Sequence, residues 1–204
     1  YVSQYRHEFC ESANPIFTPL EQLHAQYCKK SYALLVNWAE RNNYTVVVAI
    51  ANVNEKYFDS EIEFFKTTID SDSVRFEENY RNKLSSYKHC IESEAIVTLD
   101  STLGFELLGA SERVLFTGSV DRQFLEKWGA IQNFKEMPEE ITLSCYTQVD
   151  FDKKLNSLLE LTDDSYREIT RSAREYYMNC SDRHPHEVVK KHIEEHCELF
   201  RQLK

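Results

Sequence analysis

Three consecutive polar residues, Asp100-Ser101-Thr102, close a run of strand composition, Ala95 to Leu99, and open an apolar helical pattern, Leu103 to Leu108. A helix that starts there presents backbone N–H groups with no intrahelical acceptor and the positive end of its dipole, and Ser101 and Thr102 add hydroxyl donors. That combination holds an anion, most commonly a phosphate or diphosphate, with Gly104 keeping the first turn open to close approach. A plain helix cap made by Asp100 or Ser101, with no ligand, uses the same residues, and the local sequence leaves both readings open. Glu106 stands about one turn into the helix, either within reach of a ribose hydroxyl or as a solvated helix carboxylate.

Other reactive side chains form weaker patterns. His184, His186, His192 and His196 fall near Cys180 and Cys197, and His192 and His196 are four apart, the spacing of two metal ligands on a helix face. The stretch lacks the Glu of an HExxH motif and any CxxC, so it reads as a solvated face with capping histidines and no metal site is assigned. Asp70, Asp72, Asp150, Asp152 and the Asp163-Asp164 pair read as helix-start and loop carboxylates, among which spacing selects no acid/base pair. Trp38 and Trp128 read as packing residues, and Cys90 as a buried, inert thiol.

The elements that must position these groups alternate between short β-branched runs and longer helical periodicity, the pattern of an α/β fold. Strands are expected at Tyr1 to Tyr5, Thr45 to Ala51, Val74 to Phe76, Ala95 to Leu99 and Arg113 to Phe116, with a further one at Thr142 to Tyr146. Helices are expected at Leu20 to Arg41, Tyr57 to Ile69, Lys83 to Ser93 (Leu84, Tyr87 and Ile91 apolar), Leu103 to Leu108, Phe151 to Leu161, Asp164 to Met178 and Pro185 to Leu203. Strand, polar turn, helix, strand across residues 95 to 116 is a βαβ unit, whose turn lies at the carboxyl edge of a parallel sheet, where ligands collect. The expected fold is a Rossmann-like parallel sheet flanked by helices: residues 1–148 as the core and 149–204 as C-terminal helices packing on it.

The chain has 204 residues, 42% of them hydrophobic, with only 4 Gly and 4 Pro, enough for one packed core and too few for collagenous or low-complexity structure. Its formal net charge of −10 argues against nucleic acid as a partner. The longest apolar run, Val46 to Ala51, is far short of the roughly 20 residues that span a bilayer. Six cysteines without a CxxC read as reduced thiols, so the expected location is the cytoplasm, or peripherally the inner face of the membrane. The start at Tyr1, with no basic or apolar leader, suggests a piece of a longer protein.

Ser86-Tyr87-Lys88, Ala95 to Glu106 and Arg113 to Phe116, with the opening Tyr1-Val2-Ser3-Gln4-Tyr5-Arg6, resemble the donor-binding half of GT-B-type bacterial surface-carbohydrate glycosyltransferases, such as capsule, O-antigen and Kdo transferases. The resemblance implies that Ser101 and Thr102 hold the donor phosphate, Arg6 the phosphates or departing sugar, and Glu106 the nucleotide ribose. Gln4, Ser86, Tyr87, Thr117 and Gly118 are further cleft candidates. It also implies that residues 1–148 are a nucleotide-sugar-binding core, with a CMP- or UDP-linked sugar as donor, a saccharide or lipid-linked acceptor held by a separate domain, no cofactor and no required metal. The catalytic residue stays unassigned. Related UDP-sugar 2-epimerases carry a His-Arg-x-Glu-Asn loop, which Arg6-His7-Glu8 matches without its Asn. An epimerase is therefore one alternative, and a non-catalytic protein-interaction module another.

Overall fold

The computed structural model describes residues 1–5, 18–52, 54–78, 85–121, 126 and 134–178. Arg6 with its loop, Trp128, and the expected helix from Pro185 with its histidines lie outside the described residues. After the N-terminal segment, residues 1–5, come α1 (Thr18–Asn42), β1 (Val46–Ala49), α2 (Phe58–Lys66), β2 (Val74–Glu77), α3 (Ser85–Ile91), β3 (Ile96–Thr98), α4 (Thr102–Gly109), β4 (Val114–Phe116), α5 (Gln148–Glu160) and α6 (Asp163–Met178). This is the expected α/β alternation, a Rossmann-like fold.

β1 pairs with β2 and β3 with β4, both in parallel. The N-terminal segment joins the two pairs. Ala49 donates its N–H to the Tyr1 carbonyl at 2.9 Å and accepts from Ser3 N–H at 3.1 Å, while Val2 between them turns to the other side and donates to Val97 O at 2.9 Å. Beyond β4, Thr142 bridges Phe116 in parallel and Leu143 N–H donates to Phe116 O at 2.9 Å. With the N-terminal segment counted as first, these segments lie side by side as third, second, first, fourth and fifth, with the single Thr142 bridge beyond the fifth, the order of dinucleotide-binding sheets. The order reverses between the N-terminal segment and β3, and the turn after β3 is Asp100-Ser101.

Helices cover both faces. Against the side carrying α1, Phe65 of α2 meets the rings of Tyr1 and Tyr32, and α5 packs on α1 and β4. On the other side α4 lies over β3 and β4 and carries α6, where Phe105 meets Tyr177. The core is built from the residues with strand and helix periodicity: Val48, Val97, Leu107, Leu108, Leu115, Phe116 and Phe151 are all buried. Trp38 is buried too, its indole N–H donating to Asn156 at 2.8 Å, which fits packing.

Two expectations are corrected. In the described part of the third helix, Ser85–Ile91, Cys90 is buried while Tyr87 is 37% and Ile91 57% exposed, so these two members of the expected apolar face are turned outward, and Leu84 lies outside the described residues. Beyond its single bridge, the stretch Thr142 to Tyr146 is no strand. Ser144 and Cys145 give their N–H groups to the Asp150 carboxylate, each at 2.9 Å, and so brace the start of α5 instead of extending the sheet.

Tyr166 of α6 ties the outer layer to the sheet, donating to Glu112 O at 2.6 Å and accepting from Val114 N–H at 3.2 Å. Burial, ahead of any other cause, pushes this phenol from 10.0 up to about 12. A folded-state value above the unfolded one contributes stability that is complete below pH 10 and is lost as the pH rises toward 12. Denaturant melts across that window are expected to show a loss on the order of 2 kcal/mol from this group, absent in Tyr166→Phe, which is about 1 kcal/mol less stable at neutral pH for want of the hydrogen bonds.

Candidate functional site

The turn after β3 is held by side chains from two strands. Gln4, at the carboxyl end of the N-terminal segment, donates from Nε2 to Asp100 Oδ1 at 2.7 Å and accepts the Asp100 N–H on Oε1 at 2.9 Å. This two-point clasp joins the first and fourth strands at the point where the sheet order reverses. Ser101 has extended backbone (φ −66, ψ 145) and its Oγ accepts Gly104 N–H at 3.0 Å, the geometry of a helix N-cap. Thr98 donates its hydroxyl to the same Oγ at 2.9 Å. With two donors already accepted, the Ser101 hydroxyl retains its own proton for an outside acceptor.

Among the described residues the N–H groups of Ser101, Thr102 and Leu103 have no acceptor. They follow one another at the start of α4, beside the exposed Thr102 hydroxyl and at the positive end of the helix dipole. Gly104 serves a different purpose from the one its position suggested. It is buried, and a Cβ there would lie 2.7 Å from Thr98 Cγ2 and 3.2 Å from Phe116 Cε1. Its missing side chain lets α4 settle on the sheet, not a ligand approach the backbone.

Glu106 is half-buried on the same side of α4 as Thr102, four residues on and so about 6 Å along the axis. Tyr87 reaches across from α3 and donates its hydroxyl to Glu106 Oε2, and this hydrogen bond to a carboxylate is the main reason the phenol is pushed up to about 12. Ser86, next to it, is half-buried. Gln4, Tyr87, Ser101, Thr102 and Glu106 thus gather around one turn. Thr117 and Gly118 do not face that turn openly: Thr117 is buried, donating from N–H and Oγ1 to Thr98 O and meeting Ser31 Oγ at 2.7 Å. A Cβ on Gly118 would lie 2.9 Å from the Leu99 carbonyl oxygen.

The carboxyl edge also carries groups that sequence reasoning passed over. Tyr27 of α1 donates to the Asp121 carboxylate just past β4 and stacks on Tyr146, ring centroids 5.0 Å apart and planes 10° from parallel, with Lys30 Nζ 5.5 and 5.7 Å from the two centroids. Burial first, then Asp121, raise Tyr27 to about 12. Glu61 is fully buried and accepts from Ala51 N–H at 2.8 Å, Asn52 N–H at 3.2 Å and Asn52 Nδ2 at 2.7 Å, fixing the loop after β1. Asp121 had a signal, since it follows a strand at its carboxyl end. Glu61 had none, because nothing in Asp59-Ser60-Glu61 marks which carboxylate turns inward.

Among the described residues, no three His, Cys, Asp or Glu side chains group as a metal site, and no helix is long and apolar enough to cross a membrane. A cavity of about 270 Å³ opens at the opposite edge of the sheet, walled by Trp38, Val46, Val47, Ala95 and Leu155 among others, away from the Ser101 turn.

Sheet order and turn together define a Rossmann-like α/β domain whose α4 N-terminus stands at the sheet's topological switch point. A protein family described as "putative O-antigen biosynthesis protein" matches residues 1–128, and the chain belongs to that family, with a role in surface-polysaccharide biosynthesis. The matched span runs from the N-terminal segment through Asp121 and contains every residue of the turn. No curated protein and no solved structure matches the chain.

Proposed function

We propose that the chain is the donor-binding domain of a GT-B-like glycosyltransferase of O-antigen assembly, with the phosphate of a nucleotide-linked sugar held at the Ser101 turn. The observation that carries this reading is the run of three N–H groups, on Ser101, Thr102 and Leu103, that have no acceptor among the described residues at the switch point. Membership in an O-antigen biosynthesis family supports the choice of a sugar donor over other phosphate ligands.

In glycosyl transfer the bond from the sugar's anomeric carbon to the nucleotide phosphate breaks, and negative charge grows on the departing phosphate. Fixed N–H donors, the Ser101 and Thr102 hydroxyls and the helix dipole stabilise that charge more as it develops. Glu106 receives the ribose hydroxyls in this reading, and Arg6 adds a cation to the phosphates. The acceptor, a saccharide or lipid-linked saccharide, is bound by a separate domain, which also supplies the group that activates its hydroxyl.

Thermal-shift measurement against CMP, UDP and GDP tests the reading. A nucleotide at about 100 times its dissociation constant stabilises the native state by about 2.7 kcal/mol, a rise of about 5–10 °C in Tm for a domain of this size. No shift with any of the three would contradict it, and product analysis with the bound nucleotide sugar separates transferred sugar from an isomerised donor.

A further inference from the structure

Tyr87 is an exposed aromatic residue on a short helix, and its hydroxyl is committed to one partner, Glu106 Oε2 on α4. The other carboxylate oxygen of Glu106 has no partner among the described residues. One oxygen is thus anchored by a phenol and the other is open, on the same side of α4 as the acceptor-less N–H groups and about 6 Å along the axis from them. A carboxylate accepts two hydrogen bonds from a vicinal diol best when its plane is fixed, and a side chain left to rotate in solvent spends entropy to do so.

We propose that Tyr87 is a positioning residue that fixes the plane of the Glu106 carboxylate for the ribose diol of a nucleotide, and so sets the preference of the site for ribonucleotides over their deoxy forms. The inference rests on the function proposed above, which already places the ribose at Glu106, and adds Tyr87 as the residue that orients that carboxylate. An anchoring role for stability alone makes no distinction between ribose and deoxyribose, so ligand preference, not affinity, is the informative readout.

Calorimetric titration of the full chain with UDP and CMP, with their 2′-deoxy and 3′-deoxy counterparts, and with inorganic pyrophosphate carries the test. The unmodified chain is expected to prefer the ribonucleotides by about 10-fold or more, the worth of a hydrogen bond to a charged group. Tyr87→Phe should cut that preference by about 3-fold to 10-fold and leave pyrophosphate affinity unchanged. Glu106→Gln should lower the preference as well, with no additional loss when Tyr87→Phe is added, because the phenol acts through that carboxylate. Full preference retained in Tyr87→Phe, an equal loss for every ligand, or a parent chain that binds ribo and deoxy forms alike would each overturn the inference while leaving nucleotide binding intact. A parent chain that binds no nucleotide would overturn the proposed function and this inference with it.

Discussion

Changing Ser101 and Thr102 together to alanine is expected to lower affinity for the nucleotide donor by about 100-fold or more. Each hydroxyl hydrogen bond to a charged phosphate contributes on the order of 1.5–3 kcal/mol, and two are removed. Binding should weaken without vanishing, since the N–H groups of Ser101, Thr102 and Leu103 and the dipole of α4 remain. The same change removes the acceptor of Gly104 N–H, so stability should fall by about 1 kcal/mol, or about 2–4 °C in Tm. Thr98 keeps Gln4 Oε1, at 3.4 Å, as a second acceptor, which limits the structural damage. Calorimetric titration and a thermal melt of the one double variant separate the two roles. A lowered Tm with unchanged affinity would reduce the turn to a helix cap.

The second large effect concerns the two glycines that hold helix and strand in place around the turn. A methyl group at Gly104 would press on the buried Thr98 Cγ2 and Phe116 ring, and one at Gly118 on the Leu99 backbone, where no flexible side-chain tip can give way. Gly104→Ala and Gly118→Ala are each expected to cost about 1–3 kcal/mol, seen as a drop of about 2–12 °C in Tm. Their effects on binding should differ. Gly104→Ala lifts the start of α4 from the sheet and so displaces the N–H groups of the turn, whereas Gly118 meets Leu99 behind the turn and its variant should bind nucleotide normally once folded. Equal, wild-type stability in both variants would contradict the close approach of α4 and β4 to β3.

Much of this fold is legible in the residues themselves. Asp-Ser-Thr between a β-branched run and an apolar helical run announces the βαβ unit, and Ser101 caps α4 as its type and place suggest. The long helices are marked by periodicity over many turns, so α1, α5 and α6 lie within a few residues of their expected limits. In α3 the apolar residues Tyr87 and Ile91 have helical spacing, and nothing in their types reveals that Ile91 faces out while Cys90 faces in. At the site, the polar turn was visible but its clasp was not: Gln4 and Asp100 are 96 residues apart, and Tyr27 and Asp121 are 94 apart, pairings that only the sheet order brings about. Gly104 shows the limit from the other side, since a glycine beside a phosphate-type turn and a glycine under a helix look alike until the neighbours of its Cα are known.

In the proposed function a nucleotide phosphate docks on the N–H groups at the start of α4. Amide resonances of the isotope-labelled chain, followed while UDP or CMP is added, test it most directly. Saturable shifts are expected, centred on Ser101, Thr102 and Leu103, with smaller ones at Asp100 and Glu106. Shifts that cluster instead at the opposite edge, around Trp38, Val47 and Ala95, or an unperturbed Ser101 turn at saturating nucleotide, would contradict it.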